Sequence, residues 1–123
     1  MSKIKTYKTY KKTTNMTYPQ LLKWSKNPIS KTASIKPKND SMDARYERIK
    51  LKVYLSPEVR EESNKFNTAQ IRNLVLLKTP VSNWDDFLQS QAKKSISYLS
   101  RAKTLKGKIN NRALKNWGFD ITK

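Results

Sequence analysis

The chain reads as mainly α. A basic, largely extended or disordered arm over residues 1–42 precedes a small helical domain over 43–123, which carries at most one short β-strand, at 48–55. Three observations lead there. Basic residues outnumber acidic ones 27 to 9, for a net charge of +18. The excess is uneven: residues 1–40 hold ten lysines against one acid, Asp40, whereas 41–80 and 81–123 carry net +3 and +6. Beyond Ser56, apolar residues recur at spacings of three and four, the pattern of helices with one buried face, and capping residues precede these runs.

The arm opens on a tandem triplet, Lys5-Thr6-Tyr7 and Lys8-Thr9-Tyr10, followed by Lys11 and Lys12. Threonine, lysine and asparagine dominate, and so polar a segment buries too little to offset the entropy of ordering it. One short helix is expected at 18–26. Thr17 caps it, Pro19 sits in its first turn, Leu21, Leu22 and Trp24 give it an apolar edge, and Pro28 stops it. A linker containing proline and serine runs on to Ser41.

In 48–55, Ile49, Leu51, Val53 and Leu55 alternate with Lys50, Lys52 and Tyr54. That is the period of a half-buried strand, and Val and Ile suit it. A helix over 43–55 competes, with Tyr46, Ile49 and Val53 on one face. The clean alternation favours the strand.

Four helical signals follow. Ser56-Pro57-Glu58 supplies a cap, a first-turn proline and a first-turn acid. Asn67 or Thr68 caps the next helix, which holds Ile71, Leu74, Val75 and Leu77 and ends at Thr79-Pro80. Ser82 and Asp85 form an S-x-x-D cap for the longest helix, about 83–104, whose stripe runs through Trp84, Phe87, Leu88, Gln91, Ala92, Ile96, Leu99 and Ala102. A last helix at about 110–117 ends at Gly118, a left-handed terminator that folds Phe119 back on Leu114 in a Schellman motif.

The composition excludes several chemistries. With neither cysteine nor histidine, the chain has no disulfide, no Cys/His zinc site, no histidine base and no cysteine nucleophile. Its two glycines, Gly107 and Gly118, cannot make a glycine-rich phosphate loop. No apolar run is long enough to span a bilayer. Asp85 and Asp86, adjacent at a helix start, complement the helix dipole rather than form a catalytic pair. No catalytic residue, metal ligand or cofactor is expected.

The surplus of cations points to a polyanion, in the first place DNA or RNA bound through its phosphates. The expected contacts are Lys5, Lys8, Lys11 and Lys12 of the arm, with Tyr7 and Tyr10 stacking beside them, then Lys50, Lys52 and Tyr54, and Lys93, Lys94 and Arg101 of the longest helix. Leu21, Leu22 and Trp24 are expected to dock on a partner protein.

The order of segments over 48–78, an amphipathic strand, a helix opened by Ser-Pro-Glu and a second helix after Asn-Thr, resembles the ribbon-helix-helix family of DNA-binding proteins. The resemblance covers about 30 residues, lacks the family's glycine between the helices, and leaves about 45 residues after them. It implies a homodimer whose paired strands enter the major groove. Lys50, Lys52 and Tyr54 would then face DNA, Ile49, Leu51, Val53 and Leu55 would form the dimer core, and the helix start at Asn67 and Thr68 would hold a phosphate. Leu76–Pro80, Ser95–Arg101 and Leu114–Asp120 are similar to stretches of small basic proteins encoded by phages and other large viruses, which have no settled activity.

The alternative to nucleic-acid binding is a structural or adaptor component of a virion or ribonucleoprotein, its arm threaded over other subunits. An inhibitor docking on an acidic host protein is a third. These readings place the protein inside a cell or a virion, with no membrane partner.

Overall fold

The computed structural model describes residues 2–31, 42–104 and 111–122. Among them seven α-helices form and no strand: α1 (Lys3–Thr13), α2 (Tyr18–Lys26), α3 (Met42–Lys52), α4 (Pro57–Glu62), α5 (Thr68–Lys78), α6 (Asp86–Thr104) and α7 (Asn111–Asn116). Three single 3₁₀ turns join them at Pro28–Lys31, Ser63–Lys65 and Val81–Asn83.

The centre of the fold is α5. Asn67 and Gln70 close a capping box, each accepting the other's backbone N–H, at 2.8 and 3.0 Å. From Gln70 to Leu76 every residue is buried, so α5 is covered on all sides by the other helices. Ile71, Leu74, Val75 and Leu76 supply its apolar surface. Its three buried polar residues each reach another helix. Asn73 meets Tyr10 of α1 and Ser95 of α6, Gln70 bonds to Ser30 and to Asn116 of α7, and Arg72 bonds to Gln91 of α6 and Glu47 of α3. No buried side-chain polar atom among the described residues lacks a partner, as so polar a centre requires.

Local signals set most helix ends. Thr17 and Gln20 form a second capping box around Pro19 at the start of α2. Ser56 Oγ accepts from Val59 N–H ahead of Pro57. The cap of α6 is Asp85, which accepts from Leu88 N–H at 2.8 Å; Ser82, the expected cap, lies in the preceding 3₁₀ turn. At the end of α7, Gly118 has φ +85°, its N–H bonds to Lys115 O, and Phe119 N–H bonds to Leu114 O. This is the expected Schellman pattern, and it seats Phe119 in a small cluster with Leu114, Trp117, Leu99 and Ala102.

Two elements depart from expectation. Residues 48–52 are helical, and the strand at 48–55 does not form. Leu51 and Leu55, four apart, both enter the core, whereas Ile49 and Val53 stay exposed. The alternating sequence satisfies either period at its leucines. Only the helix also satisfies its own backbone, because no second strand among the described residues could pair with this one. The paired ribbon of the ribbon-helix-helix resemblance therefore has no counterpart in the described chain.

The second departure is the arm. Residues 3–13 form α1, capped by Ser2 Oγ on Lys5 N–H at 3.2 Å, and α1 packs along α6. The triplet repeat is close enough to the helical period to sort its residues by face. Thr6, Tyr7 and Tyr10 turn inward, and Lys5, Lys8, Lys11 and Lys12 turn outward. Tyr10, Met16 and Leu21 share one hydrophobic core with Leu51, Ile71 and Leu88, so the boundary expected near residue 42 does not separate two bodies. The helix expected at 18–26 is α2; most of the linker after it lies outside the described residues.

Candidate nucleic-acid interface

The outward side chains of α1 are four lysines and Ile4. Lys5, Lys8, Lys11 and Lys12 are all exposed on a helix whose other face is fixed to the core. The outward face of the neighbouring α6 carries Lys93, Lys94 and Arg101, with Ser97 and Ser100 between them and Ser90 one turn before. Two adjacent helices thus offer seven of the expected cationic contacts.

A third set gathers between α3 and α6. Here a groove of about 280 Å³ is lined by Tyr46, Lys50, Phe87, Ser90 and Lys94, with Glu47 and Gln91 at its base. The Lys50 ammonium lies 5.0 Å from the Tyr46 ring centre and 5.1 Å from that of Phe87. Tyr54 stacks on the far side of this group, its ring 6.4 Å from Phe87 at 15°, and donates its hydroxyl hydrogen to Asp85. The sequence reading missed Tyr46 and Phe87, assigning one to a losing helical alternative and the other to the core.

Glu47 holds the groove together. Its Oε1 accepts from Lys94 Nζ at 2.6 Å, Gln91 Nε2 at 2.7 Å and Arg72 at 3.3 Å. Burial alone raises its pKa, but the hydrogen bonds from Lys94 and Gln91 and the charges of Arg72 and Lys94 outweigh burial and hold it below the usual carboxylate value. Arg72 is itself buried, bonds to Gln91 Oε1 at 2.6 Å, and lies 5.3 Å over the Trp117 ring.

Several acids are thereby occupied within the fold. Glu47 is bound as above, Asp85 caps α6 and accepts from Tyr54, and Asp120 accepts from Asn111 and Thr122. Glu58, Glu61 and Glu62 lie together on α4, beside a cavity of about 560 Å³ that Lys26, Lys65 and Phe66 also line, and Lys26 pairs with Glu62 at 3.2 Å. These three acids sit on α4 beside the cations Lys26, Arg60 and Lys65, and not on the rows of α1 and α6.

Other expected contacts are placed differently. Tyr10 is 0% exposed and cannot stack on a base. Tyr7 is half-buried, edge-on to Trp84 with ring centres 5.3 Å apart. Lys52 is half-buried and donates to Asn64 at 2.8 Å. Leu21, expected to dock on a partner, is fully buried, and Leu22 packs against the same core. Trp24, the third of that group, is half-buried; its indole N–H donates to Asn116 Oδ1 at 2.8 Å, and the Lys115 ammonium lies 4.0 Å over its ring. The start of α5 closes on itself through Asn67 and Gln70, while Thr68 Oγ1 accepts from Arg48 at 3.0 Å.

Among the described residues no group of three acidic side chains is arranged to hold a metal ion, and no helix is long and apolar enough to cross a membrane. The chain matches no protein-family model, no curated protein and no solved structure.

Proposed function

We propose that the protein binds nucleic acid, without catalysis, chiefly through phosphate contacts from the lysine rows of α1 and α6. The observation that carries this reading is the division of α1 into an anchored face and a lysine face. Four cations are held outward on a rigid support, so binding a phosphate does not require ordering the chain that bears them. Regularly displayed cations release counterions from DNA or RNA and carry no sequence information of their own. The groove at Tyr46, Lys50 and Phe87 adds two aromatic rings beside cations, a combination that suits an unpaired base. Threading of the N-terminal segment over neighbouring subunits draws no support from helices packed into the chain's own core.

The test is a titration of labelled duplex DNA, single-stranded DNA and RNA at several salt concentrations. The wild type is compared with a variant in which Lys5, Lys8, Lys11 and Lys12 are all glutamine. On duplex DNA the salt slope should shrink by about 0.9 for each of the four that touches a phosphate. An unchanged slope in a folded variant, or no binding at ~100 mM salt, where the electrostatic term is still large, would overturn the reading.

A further inference from the structure

The phosphate contacts of α1 and α6 leave one prominent apolar row aside, which shares only Tyr46 with the groove between α3 and α6. Met42, Tyr46, Ile49 and Val53 are 77%, 62%, 64% and 70% exposed, and they form a single row along α3 and the residue just past it. Their spacings are four, three and four. This is the a/d seam by which one helix packs against another, not the broader stripe by which a helix covers a globular core. Leu51, on the opposite side of that heptad, is fully buried and anchors α3 to the protein's own core. The seam is therefore held outward on a fixed helix.

We propose that this seam docks an acidic amphipathic helix of a partner protein. The row gives the shape of the partner, and its flanks give the charge. The flanking heptad positions carry three cations, Arg45, Lys50 and Lys52, against one acid, Asp43. Glu47, an acid on the same helix, is occupied by Lys94, Gln91 and Arg72. Flanking charges select partner helices, and three cations select glutamate or aspartate opposite them. A second copy of this chain would bring together two molecules that are each already at +18. Insertion into a lipid surface calls for a wide apolar face with large anchors, whereas this row is one residue wide. The Lys50 ammonium, lying over the Tyr46 ring, places one of these charges directly at the seam's edge.

The probe is a labelled three-heptad peptide with leucine at a and d and glutamate at e and g. It is compared with a scrambled peptide of the same composition and with a version carrying lysine at e and g. Anisotropy near physiological salt should show the glutamate heptad peptide binding the full chain at least about tenfold tighter than the scramble, as expected for helix-in-groove anchors over charge attraction alone. The lysine version should not bind. The double variant Ile49→Ser/Val53→Ser changes only exposed side chains, so circular dichroism should be unchanged while the preference over the scramble disappears. Ile4→Ser, at an exposed isoleucine on α1, should keep that preference. The proposal is overturned if the two acidic peptides bind alike, or if the double variant keeps the preference. It is equally overturned if sedimentation shows a wild-type dimer that the double variant dissolves, since a second copy then fills the seam. Binding to anionic lipid vesicles that depends on Ile49 and Val53, without peptide preference, would assign the seam to a membrane and overturn it too.

Discussion

Tyr10 donates its phenol hydrogen to Asn73 Oδ1 at 2.9 Å, across 63 residues of chain, and Ser95 Oγ donates to the same oxygen at 2.8 Å. One buried amide thus ties α1, α5 and α6 together, and Asn73 Nδ2 returns to Ala69 O at 2.8 Å. Tyr10→Phe leaves Asn73 its bond from Ser95 and should cost about 1 kcal/mol. Tyr10→Ala also empties a ring-sized space in the core and should cost about 3–5 kcal/mol, by analogy with other large-to-small aromatic changes. Urea unfolding measures both. An alanine variant as stable as wild type would mean that α1 is not anchored through this side chain.

Glu47 makes stability sensitive to acid. Its folded pKa lies below the ordinary 4.5, so the unfolded chain binds this proton more readily. The stability it contributes is complete above about pH 4.5 and falls as pH drops through the lower folded value. Urea midpoints measured between pH 6 and pH 3, roughly the range in which carboxylates titrate, should fall more steeply for wild type than for Glu47→Gln.

The lysines of α6 separate on the same grounds. Lys94 is about half exposed and bonds to Glu47; Lys93 is exposed, and no bond from it to Glu47 forms. Lys94→Met should cost about 0.5–1 kcal/mol, at the upper end for an exposed ion pair because its partner is mostly buried. Lys93→Met should leave the urea midpoint within the noise yet still reduce the salt slope of nucleic-acid binding. Equal losses of stability in the two would contradict the geometry around Glu47.

What the sequence made legible was local. The caps at Thr17, Ser56 and Asn67, the stripe of α6 and the turn at Gly118 are written within a few residues of where they act. The fold of the first thirteen residues was not, because what orders α1 is Trp84, Asn73 and the face of α6, and nothing near Lys3 announces them. Residues 48–55 fit two periods equally well at Leu51 and Leu55; the choice fell to packing against α5. For the candidate site, cation positions were legible as charge. Which tyrosines were buried was not: Tyr10 vanished into the core while Tyr46 emerged beside Lys50, and both outcomes depend on helix pairings set far along the chain.

Gly118 tests the closure of the C-terminal end. Its φ of +85° is strained for any residue with a Cβ, and an added Cβ would lie 3.3 Å from Thr14 Cγ2. Its carbonyl also accepts from both Asn15 and Met16 N–H, while the Asn15 side chain exchanges two hydrogen bonds with the Asp120 backbone, at 2.8 and 2.7 Å. Gly118→Ala should cost about 1–2 kcal/mol through backbone strain. The same pairing should be felt by hydrogen exchange, with faster exchange at Asn15, Met16 and Asp120 than in wild type. Unchanged protection at these three amides would show that the clasp does not depend on the left-handed turn.

Tyr54 and Asp85 form a coupled pair whose titration can be followed by absorbance. Burial, the hydrogen bond to Asp85 and the charge of that carboxylate push the Tyr54 phenol up to about 12, from an ordinary 10. The neutral phenol is the form the fold prefers, so its contribution to stability is complete below pH 10 and is lost as pH rises through about 12. Burial also raises Tyr10, Tyr18 and Tyr98, so absorbance at the phenolate band should show several late-titrating tyrosines, of which the step near 12 is lost in Tyr54→Phe. Asp85→Asn is the sharper variant. Asparagine still caps α6 by accepting from Leu88 N–H, but it removes the negative charge that opposes ionisation. The step near 12 should then move down towards 10 while the thermal midpoint stays near that of wild type. A Tyr54 step that stays put in Asp85→Asn would mean that burial alone sets it, and that the Tyr54–Asp85 bond at the edge of the groove is not formed in solution.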